Sequence, residues 1–298
     1  MTKQLEGVFA PVVTTFYNHN GELDVASFAA NVRAHLNAGL HGIVVTGSTG
    51  EAALLDFEER AALVDASREM IPRDKWLIVG TGAESTRTCI KQTKEAASRG
   101  ADAALVVAPH YYASAMTPDA LRQHYNRVID ASPIPVVLYN IPKYMHFALG
   151  ADLVAELAQH ENVIGIKDSS GNRELFGTYM PAQSATFSVI TGNAQMFQHA
   201  MSVGSRGGIL AGSLFAPSLA LEIYDGMKRG DNAAATAAQE RFTPLGAKIV
   251  GELGVPGVKA AMDRAGLAGG PVRSPLMPLD AAQTAVVDEL MRSELVAA

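Results

Sequence analysis

Along most of the chain, short apolar runs alternate with longer runs in which apolar residues recur at helical spacing. "GVFAPVVTTF" reads as a first strand and "DVASFAANVRAHLNAG" as the helix that follows it. The alternation then repeats as "GIVVTGS" with "FEERAALVDASREMI", "WLIVGTG" with "TRTCIKQTKEAASRG", and "AALVVAP" with "TPDALRQHYNRVIDAS". "PVVLYN" with "ADLVAELAQH", "VIGIKDSS" with "RELFGTYM", "FSVITG" with "NAQMFQHAMSVG", and "GGILAGS" with "PSLALEIYDGMKRG" bring the count to eight units. The strands are unbroken apolar runs, as expected where both faces of a sheet are covered. Gly39, Gly100 and Gly204 stand where helices should stop. Eight βα units predict an α/β fold, a (β/α)8 TIM barrel over residues 1–230. A doubly wound sheet is the alternative, but the GxGxxG fingerprint of its dinucleotide-binding form is absent. Residues 231–298 carry helical runs and no strand of their own, so they are expected to form a helical extension packed on the barrel.

Composition narrows the function classes. The chain has 298 residues, 48% of them hydrophobic, enough for one large core. A net charge of −6 and the lack of a basic tract argue against nucleic acid as a partner. No apolar run approaches membrane-spanning length, and the N-terminus lacks the basic and apolar regions of a leader, so a cytoplasmic location is expected. The single cysteine, Cys89, rules out an internal disulfide and any CxxC site. The eight histidines show no HxH, HxxxH or HExxH spacing, so no metal is expected.

In a barrel of this kind, chemistry sits at the C-terminal ends of the strands. Those ends supply Thr14 and Thr15, "GSTGE" (Gly47–Glu51), "GTG", "PHYY", Tyr139 and Asn140, "KDS" (Lys167–Ser169), Thr191 and Gly192, and Gly212 and Ser213. Lys167 is unusual among them. Its stem leaves the apolar run "NVIGI", which places its amine at the barrel mouth, where an amine can attack a carbonyl and form a Schiff base. A strand-end lysine reaching for water is the competing reading. Tyr139 ends the preceding strand, where a phenol can shuttle protons, and Ser48 can extend that relay. "GSTGE" offers backbone N–H groups and two hydroxyls on a tight turn, which suits a carboxylate; it is no phosphate loop, because GK[ST] does not follow. Together these groups suggest a 2-oxo acid, with its carboxylate in the turn and its ketone at the amine.

The motifs "GSTGE", "LYNIP", "GIKDSSG" and the C-terminal "GVPGVKAAMDRAGLAGGPVRSPLMPL" occur in an order similar to that of the pyruvate-dependent class I aldolases, the dihydrodipicolinate synthase/N-acetylneuraminate lyase family. The likeness covers essentially the whole chain. It implies that Lys167 forms the Schiff base, that Tyr139 is the general acid/base, and that Ser48 links Tyr139 to a second tyrosine. That tyrosine is Tyr111, reaching in from a neighbouring subunit, with Tyr112 as a shifted alternative. Thr49 would hold the carboxylate, and Gly50, Ser169, Gly192 and Ile209 would complete the substrate-binding set. The resemblance also implies a homotetramer built as a dimer of dimers and chemistry without a metal or organic cofactor.

Within the family the substrate is a separate question. Dihydrodipicolinate synthases usually carry an arginine at the position of Tyr144 to bind the aldehyde's carboxylate, and a phenol is no substitute for a bidentate guanidinium. Sialic acid lyases usually carry acidic groups after the glycine of the seventh strand, where this chain has Asn193, Ala194 and Gln195. "VVAPHYYASAMTPDALRQHY" and "SPIPVVLYNIP" most resemble 4-hydroxy-2-oxoglutarate aldolases. The first expectation is therefore a lyase that cleaves or forms a 4-hydroxy-2-oxo acid, either 4-hydroxy-2-oxoglutarate or a 2-keto-3-deoxy sugar acid, with pyruvate as one partner and an aldehyde as the other. The alternative is 4-hydroxy-tetrahydrodipicolinate synthase, condensing pyruvate with aspartate semialdehyde. A 2-oxo-acid sensor is the non-enzyme alternative, and the Lys167, Tyr139 and Ser48 set argues against it. Lys143, Tyr144 and His146 either contact the distal end of the substrate or face solvent.

Overall fold

The computed structural model describes residues 3–297. Eight parallel strands close into one barrel in sequence order. They are β1 (Gly7–Pro11), β2 (Gly42–Val45), β3 (Trp76–Gly80), β4 (Ala103–Val107), β5 (Val136–Asn140), β6 (Val163–Asp168), β7 (Ser188–Thr191) and β8 (Gly207–Ile209). Helices α1 (Val25–Asn37), α2 (Phe57–Met70), α3 (Thr86–Ser98) and α4 (Pro118–Ala131) cover the first half of the barrel. After β5 comes a single helical turn, α5 (Pro142–Met145), and then α6 (Ala151–Leu157), α7 (Arg173–Tyr179), α8 (Phe197–Ser202) and α9 (Pro217–Arg229). Almost every strand residue is buried, which is why the strands read as unbroken apolar runs.

Local sequence explains where the helices begin and end. Asp24, Asp56, Ser85, Thr117 and Asn172 cap helix N-termini with side-chain oxygens, and Asp56 with Glu59 forms a full capping box. Gly39, Gly100 and Gly204 stop helices with positive φ, as the pattern predicts. Helix α5 was not expected. Pro142 starts it and His146, in the left-handed region at φ 63°, ends it. The polar stretch after Pro142 is thus a compact turn of helix.

The chain continues as α10 (Asn232–Pro244), a π-helical segment (Leu245–Glu252), α11 (Gly254–Arg264) and α12 (Ala281–Ala297). Phe242, Leu245, Ile249, Val258, Ala261 and Met262 join the same apolar cluster as β1, β2 and α9 residues. This segment and the barrel therefore share one core.

Barrel closure depends on two glycines. Gly7 of β1 faces Gly207 of β8 in register, at φ of 121° and 146°. A Cβ on Gly207 would lie 1.9 Å from the Gly7 carbonyl oxygen. Backbone on both sides of the seam leaves nothing that can move aside. Gly207→Ala is expected to cost about 3 kcal/mol or more in unfolding free energy. Chemical denaturation reads this directly, and a loss below ~0.5 kcal/mol, the scale of an ordinary surface change, would show that the seam tolerates a side chain.

Candidate active site

Strands β5 and β6 pair so that Tyr139 lies beside Lys167 and Asn140 beside Asp168. Parallel pairing puts each pair at one height on the barrel. Lys167 is only 6% exposed and Tyr139 only 4%. The Lys167 amine lies 4.2 Å from the centroid of the Tyr139 ring. A lysine held against an aromatic face at a strand end is no solvent-seeking bystander.

The neighbouring polar pair fixes this geometry. The Asn140 side-chain amide donates to Asp168 Oδ1 at 2.7 Å, and the Leu149 N–H donates to Asn140 Oδ1 at 2.9 Å. Ser170 Oγ donates to Asp168 Oδ2 at 2.7 Å. Burial pushes the Asp168 carboxyl up, against the opposing effect of the Ser170 and Asn140 hydrogen bonds. Backbone bonds extend the lock: Ser169 N–H to Asn140 O at 2.9 Å, and Gly192 N–H to Asp168 O at 2.6 Å. Three consecutive strand ends are thereby stitched together around Lys167. Sequence reading named Asn140 and Asp168 only as strand-end residues and assigned them no part. Their signal was a polar residue directly after a buried one at two successive strand ends.

Lys167 and Tyr139 open into a cavity of about 150 Å³, also lined by Ser48, Thr49, Ser169, Gly192, Ile209, Lys143 and Tyr144. Ser48 and Thr49 open a short 3-10 turn (Ser48–Gly50), so their N–H groups take no partner within the turn. Gly192 keeps space beside the amine: a Cβ there would lie 1.9 Å from Ser169 Oγ and 2.7 Å from Lys167 Cε. Lys143 spans the rim, donating from Nζ to the Gly251 carbonyl at 2.9 Å. Burial pushes the Tyr144 phenol up, with the Tyr139 phenol adding to it.

Two of the expected site residues, Gly50 and His146, lie outside the cavity lining, and Tyr111, expected to serve a neighbouring subunit, lies outside that of its own chain. Gly50 is buried behind the turn, where its carbonyl accepts from Thr14 Oγ1 at 2.6 Å. It shapes the turn from outside the cavity lining. His146 is exposed at the end of α5 and does not reach the cavity. Tyr111 is 77% exposed and lines no part of its own chain's cavity. Its ring packs edge-on to Tyr112 with centroids 5.0 Å apart, and its N–H donates to Glu84 Oε2 at 2.8 Å. Sequence reading also missed one wall of the cavity. Val250 and Gly251 of the π-helical segment and Gly254, Val255 and Val258 of α11 line it together with the strand ends. Among the described residues no cluster of His, Cys, Asp or Glu is arranged to hold a metal, and no helix is long and apolar enough to cross a membrane.

The profile of the Dihydrodipicolinate synthetase family matches residues 4–293. A 4-hydroxy-tetrahydrodipicolinate synthase of Methanoculleus marisnigri is 34% identical over 281 residues, covering 94% of this chain and 96% of that protein. A protein of the same name from Xanthomonas axonopodis pv. citri is 34% identical over 286 residues, covering 96% and 93%. Among solved structures, a dihydrodipicolinate synthase from Bacillus anthracis superposes with a TM-score of 0.92 at 28% identity, covering 97% of this chain and 98% of that one. YagE, a prophage protein of E. coli K12 solved with pyruvate, superposes at 0.91 with 27% identity, covering 97% and 98%. The chain belongs to the dihydrodipicolinate synthetase family, and so to the pyruvate-dependent class I lyases that work through a lysine Schiff base and need no external cofactor.

Proposed function

We propose that the chain condenses pyruvate with a short aldehyde that bears a carboxylate, in the manner of 4-hydroxy-tetrahydrodipicolinate synthase, with aspartate semialdehyde as the aldehyde. The observation that carries the chemistry is the Lys167 amine against Tyr139 at the floor of a cavity that suits a small acid. Lys167 Nζ attacks the C2 ketone of pyruvate, and loss of water leaves an imine. Loss of a C3 proton gives the enamine, whose C3 then bonds to the aldehyde carbon. The aldehyde oxygen takes up a proton and becomes the 4-hydroxyl. In the synthase reaction the aldehyde's own amine then attacks C2, closing the ring and freeing Lys167. Tyr139 is the group that gives and takes these protons, and Ser48 passes them outward. The Ser48 and Thr49 N–H groups and the Thr49 hydroxyl hold the pyruvate carboxylate. Tyr111, exposed on its own chain, serves the cavity of a second copy.

For the acceptor, the favoured order of the two substrate readings is reversed relative to that drawn from the motifs. Relatives aligned over nearly the full chain bear the synthase name, and that likeness supports aspartate semialdehyde. Tyr144 is the specific reason to keep cleavage of a 4-hydroxy-2-oxo acid as a second reading, because a phenol stands where synthases usually place arginine. Under the synthase reading, Lys143 supplies the missing cation from the same rim. Its amine has only to exchange the Gly251 carbonyl for a substrate carboxylate.

Three measurements test these assignments. Purified protein given pyruvate and aspartate semialdehyde is expected to consume both faster than it releases pyruvate from 4-hydroxy-2-oxoglutarate. Tyr144→Arg is then expected to raise kcat/KM for the semialdehyde ~10-fold, the gain of a bidentate charge pair. Faster cleavage of 4-hydroxy-2-oxoglutarate would establish the second reading instead. Gly192→Ala is expected to lower the yield of pyruvate imine ~10-fold or more, since the new methyl displaces Lys167 and Ser169. An unchanged yield in folded protein would remove Gly192 from the site.

A further inference from the structure

One buried ion pair lies outside the chemistry described so far. Glu51 closes the "GSTGE" motif in the left-handed region at φ 55°, between two 3-10 turns. Its side chain is fully buried, and Oε1 lies 2.6 Å from Lys259 Nζ, whose side chain is 2% exposed. The amine donates its directed hydrogen bond to the Pro271 carbonyl at 2.6 Å and lies 4.7 Å from the Phe16 ring centroid. The second carboxylate oxygen, Oε2, accepts the Arg273 N–H at 2.8 Å. The Arg273 guanidinium then engages Glu59 at 2.5 and 2.6 Å, and the Gly21 and Leu54 carbonyls. Two carboxylates and two cations thus balance each other directly behind the turn that carries Ser48 and Thr49.

Lys259 sits in α11 immediately after Val258, and α11 supplies Gly254, Val255 and Val258 to the cavity wall. On the other side of the pair, Glu51 follows directly on the Ser48–Gly50 turn. The pair therefore ties the Ser48–Thr49 turn to α11, two parts of the cavity lining, through groups that lie outside that lining. Burial pushes the Lys259 ammonium down, and the Glu51 carboxylate opposes that by favouring the charged form. Each charge has the other as its reason to be there. Burying such a pair is a costly way to gain stability alone, since apolar residues of similar volume commonly serve as well.

We infer that Glu51 and Lys259 are positioning residues, whose contact holds the Ser48–Thr49 turn at the distance from α11 that the pyruvate carboxylate requires. The inference rests on the reading of that turn as the carboxylate's seat. It makes the C-terminal helices a part of substrate binding. It also gives a role to the left-handed conformation of Glu51, whose side chain lies fully buried against Lys259.

The test is pyruvate half-saturation of the Lys167 imine, trapped by borohydride at graded pyruvate, alongside the thermal midpoint. Glu51→Gln keeps the shape and removes the charge. It is expected to raise the half-saturating pyruvate concentration ~10-fold or more, with the adduct at saturation unchanged. Glu51→Asp keeps the charge, suits a left-handed position and retracts the carboxylate by one methylene. It is expected to fold and to shift half-saturation ~3-fold, in the same direction. Variants that lose only thermal stability, with half-saturation within ~2-fold of the original protein, would overturn the inference and leave a purely structural pair. If Glu51→Gln does not fold, Glu51→Asp alone decides between these outcomes. A failure of the unmodified protein to form any adduct would instead strike the proposed function.

Discussion

The register of β5 against β6 is the constraint on which the rest of the site depends. Parallel pairing brings Tyr139 beside Lys167, and one residue further on it brings Asn140 beside Asp168. The first pair is the proposed reactive couple, and the second anchors it. Asn140 and Asp168 satisfy each other in full burial and take up Leu149 and Ser170 as well. A slip of one residue would exchange the roles and turn Lys167 to the opposite face of the sheet. The locking hydrogen bonds therefore guard the register as much as they guard the side-chain positions. Gly192 then leaves the space that this register needs at β7.

The barrel was legible because its physics is repetitive. Strands covered on both faces become unbroken apolar runs, and capping residues and glycines punctuate the helices between them. Strand ends in a barrel converge, so the sequence alone suffices to group Lys167, Tyr139, Ser48 and Thr49 at one mouth. Groups whose meaning lies in long-range pairing stayed hidden. The Asn140–Asp168 bond spans two strands, and Glu51 and Lys259 lie more than two hundred positions apart. A helical pattern in "GVPGVKAAMDR" says that one face packs, but it does not say that Val255 and Val258 face a cavity. Helix α5 was missed because a single turn is too short to show a period.

His146 and Tyr111 show the opposite limit. Position after a strand end makes His146 a candidate, whereas the family resemblance puts Tyr111 forward as a group that reaches a neighbouring subunit. The left-handed turn at His146 sends its ring outward, and Glu84 holds the Tyr111 backbone on the surface. An exposed tyrosine in an otherwise well-packed barrel is what the assembly expected from the family resemblance would require. The C-terminal helices carry a similar lesson. They add no strand, yet they share the barrel's core and form one wall of its cavity.

The central claim is that Lys167 is the nucleophile of a pyruvate imine. The direct measurement is borohydride reduction in the presence of pyruvate, followed by peptide mapping of the modified residue. The account predicts one pyruvate-dependent adduct per chain, located on Lys167 and absent from Lys167→Met. No adduct, or an adduct on another lysine such as Lys143 or Lys259, would contradict it.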